Sequence, residues 1–526
     1  MSKRNYNFDT MQALRLVQCD MVTDNDVMRS EVDHKRIEVD RSTSPWTVRQ
    51  VPSKMAIKTQ LKVPKVGAMV IGLGGNNGTT FFAGQLANKN NLTWRTRTGP
   101  KAANWYGSVL NTGVMKLGCD AATGEDVHVP MKSVVPLLNP DDLVIGGWDI
   151  NTMALGDAMR RAEVLNVNLQ DQLYDDMQKV SPLKGIYIRD FIAENQVERA
   201  NHVKEGSLSD LVQQVRADIR EFKENNNLDK VIVLWSANTE RFVELEDGVH
   251  DSAENLLTAI KNNHTEISAS IIYAVAAIQE GSTYINGSPQ NTFVPGIVEL
   301  ASQYKTYIAG DDFKSGQTKF KSVLTDFLVS AAMKPTSIVS YNHLGNNDGR
   351  NLSSAKQFRS KEISKSNVVD DMVNSNRMLY KEGEHPDHVV VIKYVPNVGD
   401  SKRALDEYTS EIFMGGLNTI VVHNTCEDSL LAVPLMMDLI QMAEFCERIS
   451  VEREGTEETF HTVLSLLSYF CKAPVVPKGQ QVVNSLFTQR EAITNFFRAC
   501  VGLAPESHLH LETRLASVTD ENAKPL

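Results

Sequence analysis

Apolar positions cluster first at Val66–Ile71, a run with no polar alternation, followed at once by a glycine-rich turn and the helix-like stretch Thr79–Leu86. An unbroken apolar run bounded by turn residues fits a strand buried on both faces. The same texture predicts strands at Leu143–Ile145, Val231–Trp235 and Ile271–Val275, with helices over Met153–Gln172 and Leu208–Phe222 between them. Strands alternating with amphipathic helices imply a parallel α/β sheet. Residues 1–65 are mixed and charged, with no strong period. Beyond about residue 320 the pattern changes: Val389–Val395 is a β-branched strand, Phe413–His423 a strand pair or hairpin, and Lys361–Tyr380 a helix. That reads as an α+β insertion. Leu430–Ala499 is expected to be mostly helical, and the tail from Glu506 is polar.

The chain has 526 residues, enough for two or three domains at roughly 100–200 residues each. Its 42% hydrophobic and 23% charged residues are ordinary globular composition. A formal net charge of −11 makes nonspecific nucleic-acid or anionic-membrane binding a poor default, though local lysine clusters still suit a small anionic substrate. The six cysteines, Cys19, Cys119, Cys426, Cys446, Cys471 and Cys500, form no C-x-x-C pair, so reduced thiols in the cytoplasm are expected. MSKRNYNFDT lacks a signal-peptide core. The longest apolar runs, Ile271–Ile278 and Leu430–Met437, fall short of a membrane span.

Gly72-Leu73-Gly74-Gly75-Asn76-Asn77-Gly78-Thr79-Thr80 stands where a strand enters and a helix leaves, the context of a dinucleotide-binding turn. Glycines let backbone N–H groups approach a pyrophosphate at the positive end of the helix. The third glycine comes one place late, at Gly78. No acidic residue lies between Thr79 and Cys119, so Asp149, ending LVIGGWD, becomes the candidate for the ribose hydroxyls. Arg95 and Arg97 would suit a 2′-phosphate instead, and spacing alone leaves NAD and NADP both open. Trp235–Thr239 lies at the carboxyl end of a strand, where such sheets bind ligands.

Lys361 and Lys365, one helical turn apart, share a face at about 5–6 Å between Cβ atoms; two ammoniums so close lower each other's pKa, which makes one a base near neutrality. Asp400-Ser401-Lys402 and Asp311–Lys319 add carboxylates, hydroxyls and cations, and Ser-Gly-Gln-Thr-Lys suits a phosphate. Asn346–Gly349 reads as a loop whose polar side chains could line a site, or as a plain turn; Asn286–Pro289 and Gly399–Asp400 read as turns, and His385, His388, His508 and His510 as surface residues rather than metal ligands. HExxH, G-x-S-x-G and a Walker lysine are absent.

GLGGNNGTT, VIGGWDIN, LWSANTERF, NGSPQNTFVPG, AGDDFKSGQTKFKS, YNHLGNNDGRNLS, RSKEISKSNVVDDM, VGDSKRALDEY and NTCEDSLLA, in this order, resemble the eukaryotic-type inositol-3-phosphate synthases. The resemblance runs from about residue 10 to about residue 515. It implies an NAD-dependent isomerase that converts D-glucose 6-phosphate to 1D-myo-inositol 3-phosphate, the first step of inositol biosynthesis. Oxidation at carbon 5, enolisation, aldol closure of carbon 6 onto carbon 1 and re-reduction return the cofactor unchanged. Phospholipid metabolism, a cytoplasmic location and a homotetramer held through the inserted sheet are implied as well. Nucleic acid, membrane and metal are not.

By the same resemblance the fold is α/β: a Rossmann-type NAD-binding domain over 66–318, an inserted α+β catalytic and tetramerisation domain over 319–431, and a central domain from 1–65 plus 432–526. Gly74, Gly75, Asn76, Asn77, Asp149, Gln196, Arg199, Ala237, Asn238, Thr239, Asp312, Asn347, Asp348 and Asp428 match cofactor contacts. Lys361, Lys365, Lys402 and Lys472 match active-site lysines, and Ser315, Gly316 and Gln317 the holders of the substrate phosphate. Gly185 stands where a Ser is expected, so that side chain's hydrogen bond is missing. Two other classes stay open: a protein that merely holds NAD, and a sugar-phosphate dehydrogenase with an oxidised product.

Overall fold

The computed structural model describes residues 21–506 apart from Asn25 and Ala121. Cys19, His508, His510, the first twenty residues and the polar tail lie outside the described residues. Six parallel strands, numbered along the chain, form the main sheet: β1 Val66–Ile71, β2 Val144–Asp149, β3 Leu183–Lys184, β4 Lys230–Trp235, β5 Thr283–Asn286 and β6 Ile308–Ala309. Their spatial order is β3-β2-β1-β4-β5-β6, that of a dinucleotide-binding sheet. The order reverses between β1 and β4, so the crevice for a ligand opens at the carboxyl ends of Ile71, Trp148 and Trp235, which pair across the sheet.

Every residue of β1 is buried, because helices cover both faces. Ala68 and Val70 face a core shared with helix Asp428–Glu447; Met69 and Ile71 face another built on Ile271–Ile278. The expected strand Ile271–Val275 is part of that second layer and is a helix, Ala269–Gln279, capped by Ser268, whose hydroxyl accepts the N–H of Ile271. It is buried on every face, so it shows no polar stripe, and four alanines favour the helix. Met153–Gln172 divides into Leu155–Ala162 and Val167–Met177, broken where Glu163 takes φ 53° and Asn166 caps the second helix.

A four-stranded sheet follows: β7 Lys334–Leu344, β8 Asp387–Tyr394, β9 Ser401–Glu411 and β10 Leu417–Glu427, in the order β8-β7-β9-β10. The expected hairpin at Phe413–His423 is the turn and part of the last strand of this sheet. Helices Gly316–Ser330 and Ala355–Ser366 belong to the same region, and Lys361–Tyr380 is helical only as far as Ser375. The inner positions of β9, Lys402, Ala404, Asp406, Tyr408 and Ser410, are buried, while Tyr341, Leu405 and Val421 are exposed on the sheet.

The unpatterned start of the chain forms a long hairpin, Val27–Asp40 with Thr47–Gln60, flanked by Met21–Asp24 on one side and strand Ile449–Arg453 on the other in a wholly antiparallel sheet. Leu430–Ala499 is α-helical only in the helices Asp428–Glu447 and Leu486–Cys500; a hairpin, Ile449–Arg453 with Thr456–Thr459, a 3-10 helix, Ser465–Phe470, and irregular segments lie between. Glu454 and Gly455, both at positive φ, make that hairpin's turn, which apolar content alone does not reveal. Helix Asp428–Glu447 is, among the described residues, the one helix long and apolar enough to cross a membrane, but 89% of its apolar window is buried inside the protein.

Candidate active site

Gly72 leaves β1 at φ 85°, and a Cβ there would lie 2.7 Å from Ala237 Cα. At Gly78 a Cβ would lie 2.4 Å from the Leu73 carbonyl, so the glycine that comes one place late is the one that lets helix Asn76–Lys89 close onto the turn. Gly75 caps this helix without a side-chain bond, and the first turn holds no acid. Its leading amides therefore suit an anion. Asp149 ends the neighbouring β2. Its carboxylate accepts N–H bonds from Gly74 (2.9 Å) and Asn151 (2.9 Å). Burial raises its pKa, opposed by the Asn151 N–H and by the charges of Arg199 and Arg161.

Arg161 donates to the Gly74 carbonyl at 2.7 Å, and it lines the cleft with Arg199. Arg95 and Arg97 are exposed and do not line it, so the arginines beside Asp149 are a different pair from the one the sequence suggests. Gly185 donates its N–H to the Asp149 and His202 carbonyls, and a Cβ there would lie 2.9 Å from the Asp149 carbonyl carbon.

Across the cleft, Gln196 Oε1 accepts from Asn238 Nδ2 (3.1 Å) and Asn347 Nδ2 (2.9 Å). Asp348 accepts from the Thr239 N–H (2.9 Å) and hydroxyl (3.2 Å). These bonds latch the Asn346–Gly349 loop to the end of β4. Ala237, Asn238, Asn347 and Asp348 line the cleft, while Gln196 and Thr239 stand behind them.

Helix Ala355–Ser366 buries Lys361, Ser364 and Lys365 on one face. Lys361 Nζ (2.9 Å) and Lys472 Nζ (3.2 Å) both donate to Asp312 Oδ1, and Ser364 Oγ donates to Oδ2 at 2.6 Å. Burial opposes the charge on Asp312, but Lys361 and Lys472 outweigh it and hold the carboxyl well below the usual range. Lys361 is likewise raised, burial being overcome by Asp312. Burial pushes Lys472 down to about 7 despite Asp312, with Lys361 and Lys402 adding to the effect.

Lys365 donates to Asn342 Oδ1 (2.8 Å) and Gln317 Oε1 (3.2 Å), and burial followed by Lys402 lowers it well below its ordinary value. The pair on one helical turn therefore does split into a charged and a readily neutral lysine, but burial rather than mutual repulsion is the main cause. Lys402 Nζ lies 3.8 Å from Asp428 Oδ1; burial would raise that carboxyl, and Lys402 with Lys472 holds it down.

Ser315 caps helix Gly316–Ser330 without a side-chain bond and lines the cleft. Gly316 follows at φ 46°, and Gln317 lies behind, its Nε2 donating to Asp406 Oδ1 at 2.6 Å. The sequence reading missed Arg161, Ser364, Asn342 and Asp406, and took Asp400 for a turn. Asp400 instead accepts from Asn76 Nδ2 (3.0 Å) and from the Ser429 N–H (3.0 Å) and hydroxyl (2.8 Å), and burial pushes it up to about 6. His385 is exposed, but His388 is not a surface residue: its Nε2 lies 2.8 Å from Lys321 Nζ, and burial holds it down to about 3. Among the described residues no group of three or more His, Cys, Asp or Glu side chains gathers as metal ligands.

The glycine turn, Asp149, Asp312, Asp348, Asp428 and three of the four lysines thus line one cleft, with Lys365 just behind it. A family model described as myo-inositol-1-phosphate synthase matches residues 66–498. An inositol-3-phosphate synthase of Dictyostelium discoideum is 56% identical over 488 residues, 92% of this chain and 95% of that protein. One from Populus euphratica is 58% identical over 469 residues, 89% of this chain and 92% of that protein. The crystal structure of inositol-3-phosphate synthase from Caenorhabditis elegans superposes with a TM-score of 0.94 at 48% identity, covering 96% of this chain and 99% of that one. With the sheet order, the glycine turn and these matches together, the chain belongs to the myo-inositol-1-phosphate synthase family.

Proposed function

We propose that the cleft converts D-glucose 6-phosphate to 1D-myo-inositol 3-phosphate with NAD, an isomerisation that begins inositol biosynthesis. The observation that carries this is the Lys361–Asp312–Lys472 group, built into the same cleft as the glycine turn. The residues fit NAD: the turn is a cradle that a Cβ at Gly72 would fill, the helix behind it is uncapped, and Asp149 stands at the end of the adjacent strand. Gly74, Gly75, Asn76 and Asn77 would hold the pyrophosphate, Asp149 the adenosine ribose, and Ala237, Asn238 and Asp348 the nicotinamide side. Bound NAD supplies a hydride acceptor that later gives the hydride back.

The chain's own residues supply the proton chemistry. Lys361 and Lys472 meet on one carboxylate oxygen, so the ionised Asp312 fixes both amines side by side where the carbon 5 hydroxyl gives up its proton. Lys472, near 7, is the member with a neutral amine available at physiological pH. Ser315 and the leading amides of helix Gly316–Ser330 receive the substrate phosphate. Gln317 contributes its backbone N–H, since its side-chain amide already binds Lys365 and Asp406. Lys402 places positive charge where an enolate oxygen develops, with Lys365 standing behind it on Asn342 and Gln317.

The reading extends to a homotetramer joined through the exposed face of β7, β9 and β10, to a cytoplasmic location, and to the three domains bounded at 66, 318 and 431. The deciding experiment follows absorbance of NADH while glucose 6-phosphate is consumed and identifies the product. Inositol phosphate with no net NADH is the expected result. NADH accumulating in proportion to an oxidised sugar phosphate would overturn it.

A further inference from the structure

Behind the lysines that line the cleft lies one more, Lys321. It stands one helical turn after Gln317 on helix Gly316–Ser330, is 2% exposed and does not line the cleft. Its Nζ lies 2.8 Å from His388 Nε2 on β8, and among the described residues no carboxylate oxygen comes within 4.0 Å of it. Burial lowers Lys321 to about 8, with Asp406 working the other way, so the ammonium is the main form at neutral pH. Burial and the charge of Lys321 hold His388 neutral, and the imidazole accepts from the ammonium. An ammonium buried on a neutral ring carries a cost that an apolar side chain of similar length would not, and such a cost points to a use.

The groups around Lys321 lead to Lys365. Asp406, at an inner position of β9, accepts from Gln317 Nε2 at 2.6 Å. That bond turns Gln317 Oε1 toward Lys365, which donates to it at 3.2 Å and to Asn342 Oδ1 at 2.8 Å. An amide oxygen accepts from a neutral amine and from an ammonium alike, so these contacts orient Lys365 without fixing its charge. Burial and neighbouring charges decide that: after burial, Lys402 acts most strongly on Lys365, followed by Lys472, Lys321 and Lys361. A carboxylate one amide away from Lys365 draws a proton toward it, and the charge of Lys321 offsets that pull. Lys402, for its part, has Asp428 at 3.8 Å. The groups that face Lys321 are thus His388 from β8, Asp406 from β9 and Lys365 from helix Ala355–Ser366.

We propose that Lys321 is a positioning residue for the reaction: seated on His388, its charge offsets Asp406 and leaves the positive charge of the lysine pair on Lys402, at the cleft, rather than on Lys365 behind it. The inference rests on the isomerase reading given above, in which Lys402 faces the developing enolate. Without Lys321 the carboxylate of Asp406 is unopposed and Lys365 takes a proton. Repulsion between two close ammoniums then costs Lys402 its charge, and the enolate loses its counterion.

The test compares rates of inositol phosphate formation from glucose 6-phosphate, with NAD saturating, for the full-length chain and its variants from about pH 6.5 to about pH 9.5. Lys321→Met should lower kcat about tenfold near pH 7, the effect of one pKa unit of misplaced charge, with the KM for glucose 6-phosphate within about threefold. The gap should close to within about twofold at about pH 9.5, because the unaltered chain loses the charge of Lys321 as pH rises through about 8. Adding Asp406→Asn, whose remaining oxygen still accepts from Gln317, should bring kcat near pH 7 back to within about threefold. Asp406→Asn alone should flatten the fall of the unaltered chain above about pH 8, and it decides the matter if the Met variant fails to fold by circular dichroism. A deficit of Lys321→Met that is equal at both ends of the pH range, as a purely structural role would give, overturns the inference. So does a deficit that Asp406→Asn leaves unrepaired, or a fall above about pH 8 that is as steep in Asp406→Asn as in the unaltered chain. NADH accumulating with the unaltered chain would instead overturn the reading of the reaction itself.

Discussion

Two helix N-termini serve the same cleft and are built on opposite principles. Helix Asn76–Lys89 and helix Gly316–Ser330 share the elementary requirement: cap residues Gly75 and Ser315 make no side-chain bond, and no acid stands in either first turn. Around the first, selection is by shape. Gly72 and Gly78 hold the backbone so close to its neighbours that an added Cβ would collide with Ala237 and Leu73. Around the second, selection is by charge: Lys361, Lys365, Lys402 and Lys472 are all buried, with Asp312, Asp406 and Asp428 among them. A cofactor returned unchanged needs only to be held, whereas a substrate that loses and regains protons needs groups whose protonation can change at little cost.

Substitutions break this comparison in order of size. Lys361→Met should lower turnover about 100- to 10,000-fold, the weight of a proton-transfer group, while NADH affinity stays within about threefold. Turnover within tenfold of normal, with only substrate affinity weakened, would reassign Lys361 to binding. Lys402→Met should cost about 10- to 150-fold in kcat/KM, as the loss of a buried charge-assisted contact does, again with little change in cofactor binding.

Acid should act first on the lysine end. As pH falls through about 7 the amine of Lys472 gains a proton and ceases to be an acceptor, so turnover drops about tenfold per unit below that point. Because its folded pKa lies below that of the unfolded chain, Lys472 also destabilises the fold below about 7, and that cost is relieved as pH rises toward 10.5. A pH profile flat between 6 and 8, taken with saturating substrate and cofactor, would count against Lys472 as the base. At the small end, Gly74→Ala brings a Cβ to 3.0 Å from Asp149 Oδ2, a side chain that can move. A loss of about three- to tenfold in NADH affinity is expected from the shifted carboxylate, with the KM for glucose 6-phosphate within about twofold.

The same contrast explains what the sequence disclosed. A binding site made of backbone is written locally, so the glycine turn is legible in nine consecutive residues, late glycine included. Asp149 is legible only by elimination, because two small hairpins, Thr93–Ala102 and Val114–Pro130, separate it from the turn it serves. The charge site is not local: Asp312, Lys361 and Lys472 meet across 160 residues, and only the family resemblance joined them. Arg161 carried no signal, being one of two adjacent arginines in a helix, and only the contact with Gly74 distinguishes it from Arg160. The helix Ala269–Gln279 was misread for the converse reason, since burial on every face erases the period that marks a helix.

The long hairpin at the start of the chain carries a consequence in time. Met21–Asp24 pairs with one end of Val27–Asp40, but Thr47–Gln60 acquires its outer neighbour only from Ile449–Arg453, and 448 − 60 = 388 residues lie between the two strands. At about 5–20 residues per second the ribosome takes roughly 20 to 80 s to supply it. Beyond Ser30 the early ribbon is only two strands wide, which is marginal in water, and Ile37, Val39, Trp46 and Val48 are exposed along it even in the finished fold. The nascent chain must therefore keep an unfinished, partly apolar edge from pairing with its neighbours on the same message until that late strand emerges.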